Sequence, residues 1–471
     1  MIHPGHDYPQ AIAKALDDAS LQKILATYLP QRCERTRQGV EALGDPEAFR
    51  DLAKQIKDYS IAHLDEMLEE LAEQFEARGG VVHWARDAAE ARQVITDIAR
   101  QHGCRRCIKT KSMVTEEIEL NPALEAAGVV ALETDLGEFI VQLAEDRPSH
   151  IVTPMIHITR QKVGRLFQEK LGADYTESPE SLTQIARRYL RDKFQQADLG
   201  ITGANFAVAQ TGTLCLITNE GNGRMVTALP RVHIALMGME KVIPRTVDLA
   251  VMLKLFTRSA MGSPITVYTN LITGPRQPGQ LDGPEHLHLV LLDNGRSRLL
   301  SGPYADTLDC LRCGACLNVC PVYRKIGGHA YGSVYTGPIG VAVTPVLMPE
   351  DPATQVMPDL CTLCGACLEA CPVKIDIPRN LIGLRQESVA KKKVPWVYRL
   401  LMPTWAWFYR RPGRYRFSQR WGRRLLCLLA RKGWVRWLPG LGAKWTASRD
   451  LPLPASKTFS DLWDESDGTL T

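Results

Sequence analysis

Apolar residues recur at i, i+3 and i+4 through SLQKILATYL and YSIAHLDEMLEELAEQFEARGG, which predicts helices from residue 1 to about 80, closed by Gly79 and Gly80. From about 81 to 300 the period switches back and forth. AEARQVITDIARQHG, GEFIVQLAE, ESLTQIARRYLRDKFQQA and DLAVMLKLFTRS carry the helical spacing. VVALET, HIVTP, NFAVAQ, TLCLIT, HIALMG, ITVYTNLIT and HLHLVLLD read as strands, and a further strand begins near 107. Strands alternating with helices predict an α/β domain with a largely parallel sheet. The pattern divides the chain into an N-terminal helical segment (1–80), an α/β domain (81–300), a cysteine-rich module (301–385) and a basic, Trp-rich C-terminal region (386–471).

The chain has 471 residues, more than one domain's worth. Its N-terminus, MIHPGHDYPQ, lacks the basic start and apolar core of a secretory signal. No uninterrupted apolar run reaches the ~18 residues of a spanning helix. A cytoplasmic location is expected, where thirteen cysteines mean metal more readily than disulfides.

Eight of those cysteines form two copies of one pattern: CLRCGACLNVCP at 310–321 and CTLCGACLEACP at 361–372. The spacing C-x2-C-x2-C-x3-C-P is that of bacterial two-cluster ferredoxins, in which the fourth cysteine of each run ligates the other cluster. Cluster 1 is therefore expected on Cys310, Cys313, Cys316 and Cys371, and cluster 2 on Cys361, Cys364, Cys367 and Cys320. Zinc sites use paired C-x2-C elements and fit this spacing less well. Gly314 and Gly365 are expected to let the backbone pass close to each [4Fe–4S] cluster. A cube with four cysteine ligands moves single electrons and binds no substrate, so a two-electron oxidation needs a converter. No G-x-G-x-x-G follows a strand here; TNEGNGR (218–224) is only a G-x-G between two strand-like stretches.

Smaller signals remain. Lys109, Lys111 and Ser112 precede Thr115-Glu116-Glu117 and read as a basic loop entering a helix, a candidate pocket for an anionic substrate or cofactor. Glu220 in NEGNG resembles the Glu-Gly turn of CoA-transferases, although the glycines equally make a strand-to-strand turn. No catalytic residue is assigned. Cys104 and Cys107 form a C-x-x-C that reads more simply as packing than as a redox pair. His150, His157, His233, His286 and His288 are candidate ligands, but isolated histidines at strand ends are more often hydrogen-bonded structural residues. Between Lys391 and Arg449 stand sixteen Lys or Arg and no acid, and eight of nine tryptophans lie beyond 395. This surface matches no nucleic-acid motif and suits docking to a partner or peripheral contact with a membrane. VPWVYRLLMPTWAWFY is broken by Pro403 and too short to span.

Several longer motifs resemble one family. KTKSMVTEEIELN (109–121), ETDLGEFIVQL (133–143), SHIVTPMIH (149–157), GITGANFAVAQTGTLCLITNEGNGR (200–224), TNLITGPR (269–276) and YRKIGGHAYGSVYTGPIG after the first cysteine run are similar to lactate utilisation protein B. The resemblance implies a lactate-utilisation domain at about 70–300, with a fold like the sugar-phosphate isomerases and CoA-transferases, then a helical two-[4Fe–4S] module. It implies electron transport during oxidation of L-lactate to pyruvate, beside a second iron–sulfur protein and a small protein of the same α/β fold. CRRC at 104–107 departs from the pattern. Rival readings are an iron–sulfur subunit of another 2-hydroxy-acid or heterodisulfide oxidoreductase, or an α/β enzyme of the CoA-transferase-like class acting alone.

Overall fold

Ten strands alternate with helices between residues 81 and 292 in this computed structural model, which describes residues 6–394, 396–440 and 442–465. They are β1 (Val81–Ala85), β2 (Arg106–Lys109), β3 (Val130–Glu133), β4 (Leu199–Thr202) and β5 (Phe206–Val208). The remainder are β6 (Thr213–Thr218), β7 (Val232–Gly238), β8 (Val242–Ile243), β9 (Tyr268–Ile272) and β10 (His286–Leu292). Six of them make one sheet in the order β1-β10-β7-β4-β2-β3. Every pairing in it is parallel. All residues of β4 and β7 are buried, and so is β10 after His286. Burial on both faces explains why these strands read as continuous apolar runs. A second sheet, β8-β5-β6-β9, is mixed: β5 runs antiparallel to β6 and parallel to β8.

Four helices precede the sheet: Tyr8–Asp17, Ala19–Glu41, Pro46–Ala62 and Leu64–Glu76. Asp7, Asp18 and Asp45 each accept a backbone N–H at a helix start, the capping that their type favours. The predicted strand HIVTP is instead a turn. His150 Nδ1 accepts the N–H groups of Val152 (3.0 Å) and Thr153 (3.1 Å), which folds the segment back. The Gly- and Pro-rich connection between the cysteine runs holds a helix, Gly337–Leu347, buried at ten of its positions. Enclosed on all sides, it carries no amphipathic period to reveal it.

The predicted boundaries at 80 and 300 do not separate cores. Leu25 and Leu29, Met252 and Leu255, Tyr323, Ile339, Cys320 and Cys371 belong to one buried cluster. The described residues up to Arg385 thus form one compact unit, and those from Gln386 onward form a second.

Candidate metal centre and adjoining cavity

The first cysteine run opens with Cys310, turns at Arg312 (φ 60°) and Gly314 (φ 75°), and enters the short helix Ala315–Val319. The second repeats this move at Leu363 (φ 55°), Gly365 (φ 83°) and helix Ala366–Ala370. The glycines are needed for the left-handed backbone. Crowding adds to this only at Gly314, where a Cβ would meet Val152 at 3.2 Å; around Gly365 it would meet nothing within 4 Å. In each run a backbone N–H points at the first sulfur, from Arg312 to Cys310 Sγ (3.4 Å) and from Leu363 to Cys361 Sγ (3.3 Å). Each last sulfur is treated similarly, by Tyr323 N–H at Cys320 (3.5 Å) and Ile375 N–H at Cys371 (3.4 Å).

The eight cysteines fall into two groups that exchange their last members. Cys310, Cys313, Cys316 and Cys371 line one enclosed space. The thiols nearest Cys367 electrostatically are Cys361, Cys320 and Cys364. An iron–sulfur cube takes four cysteine ligands, and each group offers four. Burial pushes the Cys367 thiol up to about 12 and the Cys371 thiol up to about 11, so bound iron would supply the charge that favours their thiolates. A single zinc ion holding four thiolates at about 2.3 Å would set the sulfurs about 3.8 Å apart. Among the described residues, no three cysteine sulfurs lie within 4.8 Å of one another.

Cations surround the backbone of both runs. Lys241 donates to the Cys310 carbonyl (3.3 Å), Arg50 to that of Cys371 (2.9 Å) and Arg385 to that of Cys361 (2.7 Å). Arg312 stacks on Tyr335 with its guanidinium 4.2 Å from the ring centroid. Behind it Arg296 is fully enclosed. It forms a bidentate pair with Glu117 (3.0 and 2.9 Å) and donates to Glu240 (2.6 Å). Burial alone would raise these two carboxyls, but Arg296 outweighs it and holds Glu240 down at about 2 and Glu117 below its ordinary range. Glu240, Lys241, Arg296, Arg312 and Tyr335 escaped the sequence reading. The four charged ones signalled themselves only as charge inside otherwise apolar or glycine-rich stretches, and Tyr335 gave no signal.

Between this network and the carboxyl ends of β2, β3, β4 and β7 lies a cavity of about 350 Å³. Ligands of open α/β sheets bind at this edge. Lys111, Ser112, Asp135, Glu220, Lys241 and Arg312 all line it. Lys109 does not. Its ammonium is buried and committed to Glu133 (2.6 Å) and Asn121 (2.6 Å), so the expected basic loop has one lysine available, not two. The helix after Ser112 spans only Met113–Glu117, and Ser112 makes no capping bond. Acids crowd the remaining lysine: burial lowers Lys111, while Glu138, Asp135 and Glu220 pull it back up. Burial and Asp135 raise Glu220 to about 7, and its carboxylate accepts the Leu136 N–H (3.1 Å). The glycines beside it lead from β6 into helix Asn222–Ala228, so the turn is strand-to-helix, not strand-to-strand.

The isolated histidines are mostly structural. His150 is buried and donates from Nε2 to Asn318 Oδ1 (3.3 Å); burial, with Lys111 and Arg32 beside it, lowers it to about 3. His233 bonds Thr202 Oγ1 (2.9 Å) inside the sheet, and His288 meets His83 (3.0 Å) while His286 packs against His102. His157 bonds Asp146 (3.1 Å). Cys104 and Cys107 are both buried, and burial raises both thiols, Cys104 to about 11, as packing residues require.

The second unit has its own character. Helix Trp396–Tyr409 continues through Pro403 and buries none of its residues. The basic stretch is partly balanced by acids that follow it: Arg416 pairs with Asp464 (3.2 Å), Arg420 with Asp461 (2.9 Å) and Arg436 with Asp450 (3.6 Å). Trp396, Trp405, Trp407, Trp421 and Trp437 are each more than half exposed. Among the described residues no helix is long and apolar enough to cross a membrane.

Three family models match in chain order: the LUD domain at 68–292, the 4Fe-4S dicluster domain at 306–375 and the lactate utilisation protein B C-terminal region at 385–467. Lactate utilization protein B of Bacillus pumilus (strain SAFR-032) is 42% identical over 456 residues, 96% of each chain. The Bacillus subtilis (strain 168) protein of that name is 40% identical over 96% of this chain and 95% of its own. An uncharacterized electron transport protein of Escherichia coli (strain K12) is 40% identical over the same shares. A crystal structure of a DUF162 family protein from Deinococcus radiodurans aligns over 49% of this chain and 98% of its own at 13% identity, with a TM-score of 0.27. Matched across both units and through the cysteine runs, the chain belongs to the lactate utilization protein B family.

Proposed function

We propose that the chain is the iron–sulfur electron-transfer subunit of a complex that oxidises L-lactate to pyruvate. On this reading Cys310, Cys313, Cys316 and Cys371 hold one [4Fe–4S] cluster, and Cys361, Cys364, Cys367 and Cys320 hold the other. When bound, the pair supplies single-electron steps from one cluster to the next. The observation that carries the reading is the exchange of last cysteines between the two groups, inside a core shared with the N-terminal helices and strands β5, β6 and β8 of the mixed sheet. The chain's own residues have three tasks. Arg50, Lys241 and Arg385 fix the loop carbonyls and offset thiolate charge. Lys111, Ser112 and Glu220 line a cavity sized for a small 2-hydroxy acid or its product, with the Lys111 ammonium for the carboxylate. The exposed tryptophans of the second unit dock a second iron–sulfur protein and a small lactate-utilisation-domain protein; a membrane surface is the alternative occupant.

Anaerobic purification of the native complex tests this. The chain should carry about eight iron, co-purify with these two partners, and bleach on addition of L-lactate. Lys111→Ala should slow lactate-dependent bleaching at least about tenfold with full iron, the loss of a charge-assisted contact of roughly 1.5–3 kcal/mol. Zinc in place of iron ends the reading. Bleaching by glycolate or a dithiol but not lactate would move the chain to another oxidoreductase. Turnover by the cluster-free chain alone would favour a transferase acting through Glu220.

A further inference from the structure

His157 and His329 come from distant parts of the chain and meet beside Asp146, and none of the three belongs to the cysteine groups or lines the cavity described above. One ligand atom from each of the three can be chosen so that all lie within 4.8 Å of one another. His157 Nε2 is 3.1 Å from Asp146 Oδ2, and the two imidazoles stand 4.4 Å apart at 63°. With bonds of about 2.0–2.2 Å, neighbouring donors on one metal ion sit about 3.0–3.5 Å apart, so the pair already has that spacing.

The surroundings are those of ligands as much as of a hydrogen-bonded pair. His329 Nε2 lies 2.8 Å from the Arg147 carbonyl, which fixes the proton there and leaves Nδ1 with a free lone pair. Metal-bound histidines are typically anchored this way through the second nitrogen. Asp146 Oδ1 accepts the Arg147 N–H (2.8 Å), which orients the carboxylate. His157 Nδ1 is enclosed without a partner among the described residues, a rare condition in a native fold.

We propose that Asp146, His157 and His329 bind one divalent transition-metal ion of the zinc class, Zn²⁺, Co²⁺ or Fe²⁺. Two imidazoles and a carboxylate suit these ions and not Mg²⁺ or Ca²⁺. The ion would tie the turn at 146–157 to the glycine-rich stretch that follows the first cysteine run, and three protein ligands leave a fourth position open to water. Asp146 and His329 are exposed, so an ion has a route in.

The test uses the full chain with its iron–sulfur clusters in place, prepared anaerobically, titrated with Zn²⁺ and washed with a weak chelator. One zinc per chain beyond the cluster iron is expected, with only nitrogen and oxygen neighbours in its X-ray absorption spectrum. His157→Ala should weaken zinc binding at least about 100-fold, since losing even an outer-shell partner costs about 10–100-fold. Asp146→Asn, which keeps the side-chain shape, should weaken it about tenfold or more, again with cluster iron unchanged. No zinc retained by the wild type, sulfur among its neighbours, or equal retention by both variants overturns the proposal.

Discussion

The two cysteine runs share eight of twelve residues and the same backbone turns, yet they live in different surroundings. In the first run Leu311 and Asn318 are buried; the matching residues of the second, Thr362 and Glu369, are exposed. Arg312 is packed on Tyr335, whereas its counterpart Leu363 has no such cation to offer. Cys313 is buried; its counterpart Cys364 is exposed. Gly314 sits against Val152 and His150, and Gly365 faces open space. One copy faces the sheet and its cavity, the other faces outward. A repeat fixes the ligand geometry, but the few residues that differ between copies set what surrounds each ligand group. Charge and solvent exposure are what tune a cluster's potential.

The largest effect should come from the cysteines themselves. Cys313→Ser and Cys364→Ser should each lower the iron content by about half, four atoms of about eight. Only Cys313→Ser should also lower the thermal midpoint markedly, by several degrees, because its thiol is buried in a small apolar cluster with Ala260 and Ala315 while that of Cys364 is exposed. Equal midpoints for the two variants would show that the runs are equivalent after all.

Acid should separate the copies next. His150 stands against the first run and has no counterpart at the second. Its folded value is about 3 against an ordinary 6.5, so the unfolded chain binds the extra proton between those limits. The stability it contributes is complete above pH 6.5 and lost as pH falls toward 3, at up to about 1.4 kcal/mol per pH unit. Denaturant midpoints of wild type and His150→Gln across pH 4–7 should show a shallower slope for the variant. Parallel slopes would assign the acid sensitivity elsewhere.

The smallest effect is expected from Arg312→Leu, which copies the second run's residue into the first. Removing a positive charge worth roughly 1 kcal/mol at the first cysteine group should lower one midpoint potential by about 40–60 mV. A redox titration followed by electron paramagnetic resonance should show one midpoint moving and the other still. If both move together, the groups do not sense separate surroundings.

Local pattern determined a good deal of this molecule. The cysteine spacing carried the chemistry of the ligands, and apolar runs such as HIALMG and HLHLVLLD marked parallel strands because burial on both faces leaves no alternation to read. Amphipathic stretches marked helices such as Pro179–Gln196 because one face meets the core. What the sequence could not decide depended on partners far along the chain. Lys109 looks available until Glu133 and Asn121 claim it, and helix Gly337–Leu347 looks like a loop until a core closes around it on every side. The Glu117–Arg296–Glu240 network joins residues more than fifty positions apart, held by burial that no local spacing encodes. The identical cysteine turns of the two runs were written in the sequence. Which run would face the sheet was settled by tertiary packing, since burial is a property of the neighbours that folding supplies.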